Sequence, residues 1–325
     1  MELLQSPVKS ILKAGVQVVQ NGNVYQDANW TSAGVTAQFI DDADSYHEHY
    51  FNRVDFLELV GRMLTCGQVD LTRSLRVLDI GSGGGSSVFA ALKLLPNSHV
   101  VASDISPQLL AKLVAIAATQ ESMRNRVSTY CFDLHVPFFE VGTFDIVLGC
   151  AILHHLVDPH QALKHVIEAL KPGGKIIMVE PLEAGSLFNC FVYDTIIEIE
   201  RKQGTAEDGP LIQLLRALRN DIQHRQGPPN CKPWTEHLDD KWVFNTAYLS
   251  DLAKSLGCKH SEVFPAQSEM ANLFEGSLRD LLTVSGNANV KLSDAAVAFL
   301  KEVDQGLSTN LKQRLCPTGI IVFTK

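Results

Sequence analysis

Four glycines and an acid mark the part of the chain where chemistry is most readily placed. Asp79 stands near the end of an apolar run, and Gly81, Gly83, Gly84 and Gly85 follow it closely. Only glycine lets a backbone turn this tightly and still leave room for a ligand to touch it. A strand, a glycine loop and a helix in this order present backbone N–H groups to a nucleotide-like molecule.

The residues around the loop narrow the choice of ligand. In a dinucleotide-binding G-x-G-x-x-G pattern the third glycine would fall at position 86, which is Ser86. Asp79 would also lie close to any phosphate and repel it. A ligand that carries an amino group or a sulfonium fits better, so the sequence disfavours a nicotinamide-dependent dehydrogenase.

Two later apolar runs also end in an acid. Asp104 closes the run 99–104, and Ser106-Pro107 after it reads as the capped start of a helix. Asp133 follows the run 127–132. An acid at the end of the second strand of such a unit faces ribose hydroxyls, for which a carboxylate is a double acceptor. The pattern therefore predicts that Asp104 binds a ribose.

Five segments in this order resemble the class I S-adenosylmethionine-dependent methyltransferases. They are Asp-x-Gly-x-Gly-Gly-Gly at 79–85, the acid-ended runs at 99–107 and 127–134, Phe144-Asp145 with Leu153-His154-His155-Leu156, and Leu170-Lys171-Pro172-Gly173-Gly174 before an apolar strand. The resemblance covers residues 76–181 and is weak outside them. It implies an enzyme that uses S-adenosyl-L-methionine as its cofactor.

The resemblance also implies a set of cofactor-binding residues, in which Asp133 accepts a hydrogen bond from the adenine amino group. The full set is Asp79, Gly81, Ser82, Gly83, Asp104, Ile105, Asp133, Leu134 and Cys150.

Histidines are the candidates for proton transfer, because their pKa is near neutrality. His154 and His155 are the first candidates for a general base. The carboxylate of Glu180 is the next candidate, and His47 and His49 follow. A base is needed only if the acceptor must lose a proton. The alternative is that the His-His pair merely fixes its loop by hydrogen bonds. No metal site is expected, because the i, i+2 spacing of the N-terminal pair does not place both rings on one helical face.

Aromatic residues outside the resemblance have two interpretations. Phe188, Phe191 and Tyr193 could line an apolar acceptor pocket, but core packing is slightly favoured. Core packing is also the expectation for a second group, which comprises Trp234, Trp242 and Phe244.

Composition limits the partners and the location. The 325 residues carry a formal net charge of −8, and no run of Lys and Arg exceeds a pair, so a nucleic-acid partner is not expected. Seven scattered cysteines indicate free thiols in a reducing compartment. No apolar stretch is long enough to span a membrane, and Lys9 and Lys13 interrupt the N-terminal apolar pattern. These features predict a cytoplasmic protein without a membrane partner.

The alternation of strand and helix signals predicts an α/β fold, a Rossmann-like, seven-stranded, mostly parallel sheet with helices on both faces. Residues 1–70 are expected to form a helical N-terminal cover, and 71–325 the methyltransferase domain. Two helical inserts, 184–244 and 265–318, are expected above the carboxyl ends of the strands, where open α/β sheets bind ligands.

The leading function is methyl transfer to the oxygen, nitrogen or carbon of a small-molecule acceptor enclosed by the inserts. An open, flat site would instead favour a protein methyltransferase or a non-catalytic cofactor-binding subunit. A homodimer is compatible with either function.

Overall fold

A single large sheet organises the protein. The computed structural model describes residues 11–32, 41–50, 55–227 and 239–325, and within them the sheet has nine strands. The strands are β1 (Val18–Asn21), β2 (Val24–Asp27), β3 (Arg76–Ile80), β4 (His99–Asp104), β5 (Val127–Cys131), β6 (Phe144–Cys150), β7 (Leu170–Pro181), β8 (His260–Pro265) and β9 (Thr318–Thr324).

The strand order is β1-β2-β5-β4-β3-β6-β7-β9-β8. The six strands from β2 to β7 in this order run parallel, whereas β9 is antiparallel to both of its neighbours and β1 is antiparallel to β2. This confirms the predicted α/β fold with a mostly parallel sheet. The predicted count of seven strands was wrong, because an N-terminal hairpin adds two strands beside β5.

The hairpin also departs from the expected helical N-terminal cover segment. Gly22 and Asn23 connect β1 to β2, and Gly22 has φ +61°, in the left-handed region that two-residue hairpin turns require. Val24 is buried, and the ring of Tyr25 stacks on that of Tyr130 at a centroid distance of 5.6 Å. Burial against β5 therefore favours strand over helix here.

Helices cover both faces of the sheet, as expected. They are α1 (Ala43–Tyr50), α2 (Phe56–Cys66), α3 (Ser86–Leu94), α4 (Pro107–Ala118), α5 (Glu121–Arg124), α6 (Pro159–Ala169), α7 (Glu183–Lys202), α8 (Pro210–Arg225), α9 (Thr246–Ser255), α10 (Leu273–Val284), α11 (Asp294–Gly306) and α12 (Thr309–Arg314), with a 3₁₀ turn at Leu153–His155. Helices α2, α3 and α4 pack into the core on one face, and α6 and α9 into the core on the other.

The two inserts build a third core together. Buried apolar residues of α7 and α8 in the first insert pack in one cluster with those of α10 and α11 in the second. Within this cluster the rings of Phe188 and Phe274 lie 4.7 Å apart. A buried carboxylate strengthens the junction, since Oε1 of Glu200 accepts a hydrogen bond from the N–H of Ser293 at 2.8 Å. The inserts therefore form one helical unit.

This helical unit is attached at the carboxyl edge of the parallel strands. The end of β7, Pro181, pairs with Thr318 at the start of β9, and the end of β8, Pro265, pairs with Gly319. The second insert therefore leaves and rejoins the sheet at the edge where the parallel strands end. The first insert leaves at the same edge and returns beside it, where Phe244 forms a bridge with Leu182. Each described helix is too short or too polar to cross a lipid bilayer, and none of the six described cysteines forms a disulfide.

Candidate active site

The predicted cofactor residues converge because their strands are neighbours. In the parallel pairing, Asp79 stands opposite Ala102 and Asp104 opposite Cys131, while Ile80 stands opposite Gly149 on the other side. The ends of β5, β4, β3 and β6 therefore meet in one line. The site residues predicted between positions 79 and 150 follow or close these four strands.

The glycine loop after β3 uses its glycines for different reasons. Gly81 and Gly85 have φ +66° and +100°, and a Cβ on either would lie 2.7 Å from a side-chain carbon, of Ile152 and Leu113 respectively. Gly83 has φ +49°, yet a Cβ there would meet nothing within 4 Å among the described residues. The loop is thus packed at its ends and open at Gly83, where a ligand can approach the backbone.

The acid before the loop is buried and only partly satisfied. Oδ1 of Asp79 accepts hydrogen bonds from the hydroxyls of Ser82 at 2.7 Å and Ser87 at 3.1 Å. Oδ2 is buried and has no hydrogen-bond partner in the described part of the chain. Burial raises the pKa of Asp79 to about 7. The charge of Asp104 also raises this pKa, whereas the hydrogen bonds from Ser82 and Ser87 lower it. A cationic group near Oδ2 would relieve this cost.

Asp104 ties the end of β4 to the glycine loop. Its Oδ2 accepts a hydrogen bond from the N–H of Gly83 and its Oδ1 one from the N–H of Ser106, both at 2.8 Å. Burial raises the pKa of Asp104, and these N–H groups oppose the rise. Each oxygen keeps a further lone pair, so the carboxylate can still accept hydroxyl donors.

Asp133 is held by a histidine that the sequence reasoning did not single out. Its Oδ1 accepts hydrogen bonds from the N–H of His135 at 2.9 Å and from Nδ1 of the same ring at 2.7 Å. Nε2 of His135 in turn accepts the N–H of Asp158 at 3.3 Å. The hydrogen bond from the His135 side chain lowers the pKa of Asp133 more than burial raises it. Asp133 is therefore an oriented, half-exposed carboxylate, and Leu134 beside it is buried.

Two further predicted cofactor residues, Ile105 and Cys150, lie at the ends of β4 and β6. The carbonyl of Ile105 accepts the indole N–H of Trp30 at 2.9 Å. Sγ of Cys150 lies 3.6 Å from Sδ of Met63, and burial, with the charges of Asp79 and Glu180, raises the pKa of this thiol.

Helix α1 lies directly against the glycine loop. A Cβ at Gly84 would collide with the ring of His47, so this contact requires a glycine. Burial lowers the pKa of His47. The described part of α1 thus covers one side of the loop. The side chain of His49 and residue Trp234, both considered from the sequence, lie outside the described structure.

A buried glutamate fixes the loop after β6. Oε1 of Glu180 accepts the N–H groups of Ile152 at 3.0 Å and Leu153 at 2.6 Å, and Oε2 lies 2.6 Å from Nδ1 of His154. In the same loop Ala151 has φ +56°, which costs a residue other than glycine about 1–3 kcal/mol. The hydrogen bonds to Glu180 help to hold this strained turn.

The two histidines meet the end of the first insert at Asp240. Nε2 of His154 and Nδ1 of His155 each lie 3.4 Å from Oδ1 of Asp240, and Oδ2 of Asp240 lies 3.0 Å from Nη1 of Arg225. Nδ1 of His155 is also 3.0 Å from the carbonyl of Asp239. Neither Arg225 nor Asp240 was predicted from the sequence, since no local motif links them to residues seventy or more positions earlier.

The charges in this cluster are strongly coupled. Burial alone would lower the pKa of His154, but Glu180 and Asp240 outweigh it and raise the pKa to about 9. Burial lowers the pKa of His155, and the charge of His154 lowers it further. The charge of Asp240 raises this pKa and so opposes both effects. Burial would raise the pKa of Asp240, but His154 and Arg225 hold it well below its usual range. Because its two ring nitrogens face Glu180 and Asp240, His154 is poorly placed to accept a proton from an acceptor.

The aromatic residues follow the expectation of core packing, with one exception. Tyr193, Trp242 and Phe244 are buried, and Phe188 packs on the core of the helical unit, but Phe191 is exposed. Trp242 also donates its indole N–H to the carbonyl of Leu156 at 2.7 Å.

Comparisons with known proteins place this chain among methyltransferase relatives. A family model described as "Methyltransferase domain" matches residues 78–176. The chain is 25% identical over 256 residues to methyltransferase str2 of Strobilurus tenacellus, covering 78% of this chain and 81% of str2. It is 32% identical over 139 residues to aklanonic acid methyltransferase DauC of Streptomyces sp. (strain C5), covering 42% of this chain and 60% of DauC.

A solved structure shows the same fold. The structure of a putative sarcosine dimethylglycine methyltransferase from Galdieria sulphuraria has a TM-score of 0.51 and 14% identity, covering 88% of this chain and 98% of that one. Fold, family match and relatives together define a Rossmann-like methyltransferase domain. Together they support a class I S-adenosylmethionine-dependent methyltransferase that uses S-adenosylmethionine as its cofactor.

Proposed function

We propose that this enzyme methylates a small-molecule acceptor and that Asp79, Asp104 and Asp133 hold its cofactor. The observation that carries the assignment is the row of three acids at neighbouring strand ends around the open backbone of Gly83. Support for a small acceptor comes from relatives such as aklanonic acid methyltransferase and demethylmenaquinone methyltransferase of Lactiplantibacillus plantarum. The acidic net charge of −8 also disfavours a nucleic-acid acceptor.

Each acid suits a different part of the cofactor. Asp104 would accept the ribose hydroxyls through the lone pairs that Gly83 and Ser106 leave available. Asp133, oriented by His135, would accept the adenine amino group. The unpartnered Oδ2 of Asp79 would face the positively charged amino acid end. These buried or oriented oxygens fit S-adenosylmethionine better than a phosphate-bearing cofactor.

The cofactor brings a methyl group on a sulfonium, so the leaving group is already good. What remains for the protein is to orient the acceptor and to exclude water. Correct positioning alone can lower a barrier by about 7–11 kcal/mol. The helical unit and the N-terminal segment would act as the cover, since the unit is attached at the carboxyl edge and His47 lies on the glycine loop.

A catalytic role for His154 or His155 stays a prediction. The contacts favour the alternative, in which the pair fixes its loop. Nδ1 of His154 faces Glu180 and Nε2 faces Asp240, so both ring nitrogens are engaged. We therefore assign His154 a positioning role.

Calorimetric titration tests the cofactor site. S-adenosylmethionine and its demethylated product should bind more tightly than about 100 µM, a free energy of about −5.5 kcal/mol. Release of the demethylated product should then be measured with a panel of polyketide, quinone and amine acceptors, with a peptide mixture as the comparison. Absence of binding would contradict the cofactor site, whereas turnover with peptides alone would favour a protein methyltransferase.

A further inference from the structure

Three donor atoms of metal-ligating type converge at the end of the first insert. His154, His155 and Asp240 each offer one such atom, and these three atoms lie within 4.8 Å of one another. They come from two segments separated by more than eighty residues, so the fold and not local sequence brings them together. We propose that His154, His155 and Asp240 bind a divalent transition-metal ion of the zinc class.

The spacing of the donors fits such an ion. Zinc takes imidazole nitrogen at about 2.0–2.1 Å and carboxylate oxygen at about 2.0–2.2 Å, so neighbouring ligands of a tetrahedral site are about 3.4 Å apart. Oδ1 of Asp240 lies 3.4 Å from Nε2 of His154 and 3.4 Å from Nδ1 of His155. Two imidazoles and one carboxylate also favour zinc, cobalt or nickel over magnesium, which prefers oxygen ligands.

The groups behind the donors orient them. Oε2 of Glu180 lies 2.6 Å from Nδ1 of His154, which turns Nε2 toward Asp240. Nη1 of Arg225 lies 3.0 Å from Oδ2 of Asp240 and leaves Oδ1 for the ion. A carboxylate behind a ligating histidine is the usual support of such sites.

The position of the site gives the ion a structural consequence. His154 is buried, His155 is partly buried and Asp240 is partly exposed, so water can complete the coordination. The ligands join the loop after β6 to the segment that closes the first insert, where the N–H of Lys241 already bonds the carbonyl of His154 at 2.8 Å. A bound ion would add a second, stronger connection at this junction.

The same contacts could instead be ion pairs between protonated histidine and Asp240, with no metal ion. In that account Nε2 of His154 carries a proton that it shares with Asp240, and no ion enters. Metal binding must displace this proton and also the proton on Nδ1 of His155, which faces the carbonyl of Asp239 at 3.0 Å. The two accounts therefore differ in whether added metal is taken up.

The test uses the untagged full-length chain, treated with a chelator and dialysed. Titration with Zn²⁺ by calorimetry and with Co²⁺ by visible absorption should show one equivalent bound, with cobalt bands of a four-coordinate site, and Mg²⁺ should not compete. His155→Ala and Asp240→Asn should each weaken Zn²⁺ binding by at least about 100-fold, and Glu180→Gln by about 10–100-fold. His160→Ala, which removes an exposed histidine outside the site, is the matched control and should bind as the wild type does.

Melting temperatures provide a second readout, because an ion that binds only the folded protein raises them. Zn²⁺ should stabilise the wild type and His160→Ala but not His155→Ala. No uptake by the wild type, or equal uptake by His155→Ala, would overturn the proposal in favour of the ionic account. Cofactor binding, measured on the same samples, reports separately on the proposed methyltransferase function.

Discussion

Asp104 and Gly83 are joined by a hydrogen bond of 2.8 Å from the glycine N–H to Oδ2 of the carboxylate. The bond links the end of β4 to the open point of the loop after β3. One acid thus shapes the backbone that the cofactor would approach and offers its remaining lone pairs to the ribose. Its removal should affect binding through both routes.

Asp104→Ala should weaken S-adenosylmethionine binding by about 1.5–3 kcal/mol, because hydrogen bonds to a charged group are lost. Calorimetry measures this as a change in Kd of about 10-fold to somewhat more than 100-fold.

Asp145→Ala is the matched control for Asp104→Ala. Oδ2 of Asp145 accepts the N–H of Arg76 at 2.8 Å and Oδ1 pairs with Lys171, at the opposite edge of the sheet. This variant should lower the unfolding temperature and leave cofactor affinity unchanged. Full affinity in Asp104→Ala would show that Asp104 does not contact the cofactor.

Cofactor affinity should rise with pH through about 7, because burial raises the pKa of Asp79 to about 7. Below that pH the carboxyl group is mainly neutral, and a cationic ligand can bind well only after the proton leaves. Kd should fall by up to about tenfold per pH unit below 7 and level off above it. Calorimetry between pH 5.5 and 8.5 in matched buffers measures the slope.

Asp79→Asn isolates this effect. The variant should show a nearly flat profile and bind more weakly than the wild type at pH 8. The ligand-free wild type should also lose stability relative to the variant as pH rises from about 4 to 7, since the folded chain retains the Asp79 proton more strongly than the unfolded chain. An unchanged slope in Asp79→Asn would assign the pH dependence to another group.

Local patterns were sufficient to predict the centre of the sheet and its acids. Asp79 and Asp104 follow short apolar runs, and parallel pairing places such ends side by side without further information. The N-terminal hairpin was missed although Asn21-Gly22 between two β-type runs is a hairpin signal. The apolar residues Leu57, Val60 and Leu64 have helical spacing, but that pattern belongs to α2 and does not extend to the hairpin.

The cluster around His154 depends on tertiary contacts that no spacing reveals. Asp240 reaches His154 because the segment 239–244 runs beside the end of β7, where the N–H of Phe244 bonds the carbonyl of Pro181 at 2.9 Å. That path is set by how the inserted helices pack. A chain pattern can predict a helix in an insert, but it cannot predict which strand end the insert returns to.

Alanine substitutions at Gly81 and Gly83 should separate folding from binding. Gly81→Ala places a Cβ 2.7 Å from Ile152 in a left-handed conformation and should destabilise the protein. Gly83→Ala adds a Cβ where the described residues leave space, so it should cost only about 1–2 kcal/mol of stability. The added methyl should nonetheless weaken cofactor binding, since it fills the open approach. Thermal unfolding and calorimetry on both variants measure the two effects, and unimpaired binding by Gly83→Ala would move the cofactor away from this point.

The helical unit should control the acceptor and leave the cofactor site intact. Both oxygens of Asp304 accept N–H groups at the start of α10, from Phe274 at 3.2 Å and Glu275 at 3.1 Å, and the buried Nζ of Lys312 lies 3.7 Å away. Asp304→Ala leaves this lysine without its acid and should destabilise the unit by about 3–5 kcal/mol. Because α10 packs on α7 and not on the strand ends that carry Asp79 and Asp104, the Kd of S-adenosylmethionine should stay within about twofold, well under the tenfold that 1.4 kcal/mol represents.

The readout for Asp304→Ala is acceptor turnover at saturating cofactor, where KM for the acceptor should rise. Asp294→Ala, in the exposed first turn of the same helix α11, is the control and should change neither quantity. If Asp304→Ala lost cofactor affinity as strongly as acceptor turnover, the helical unit would be needed for the folding of the cofactor site as well, and the prediction would be wrong. Retention of normal KM despite a loosened unit would place the acceptor elsewhere, and an open site of that kind would favour a protein substrate.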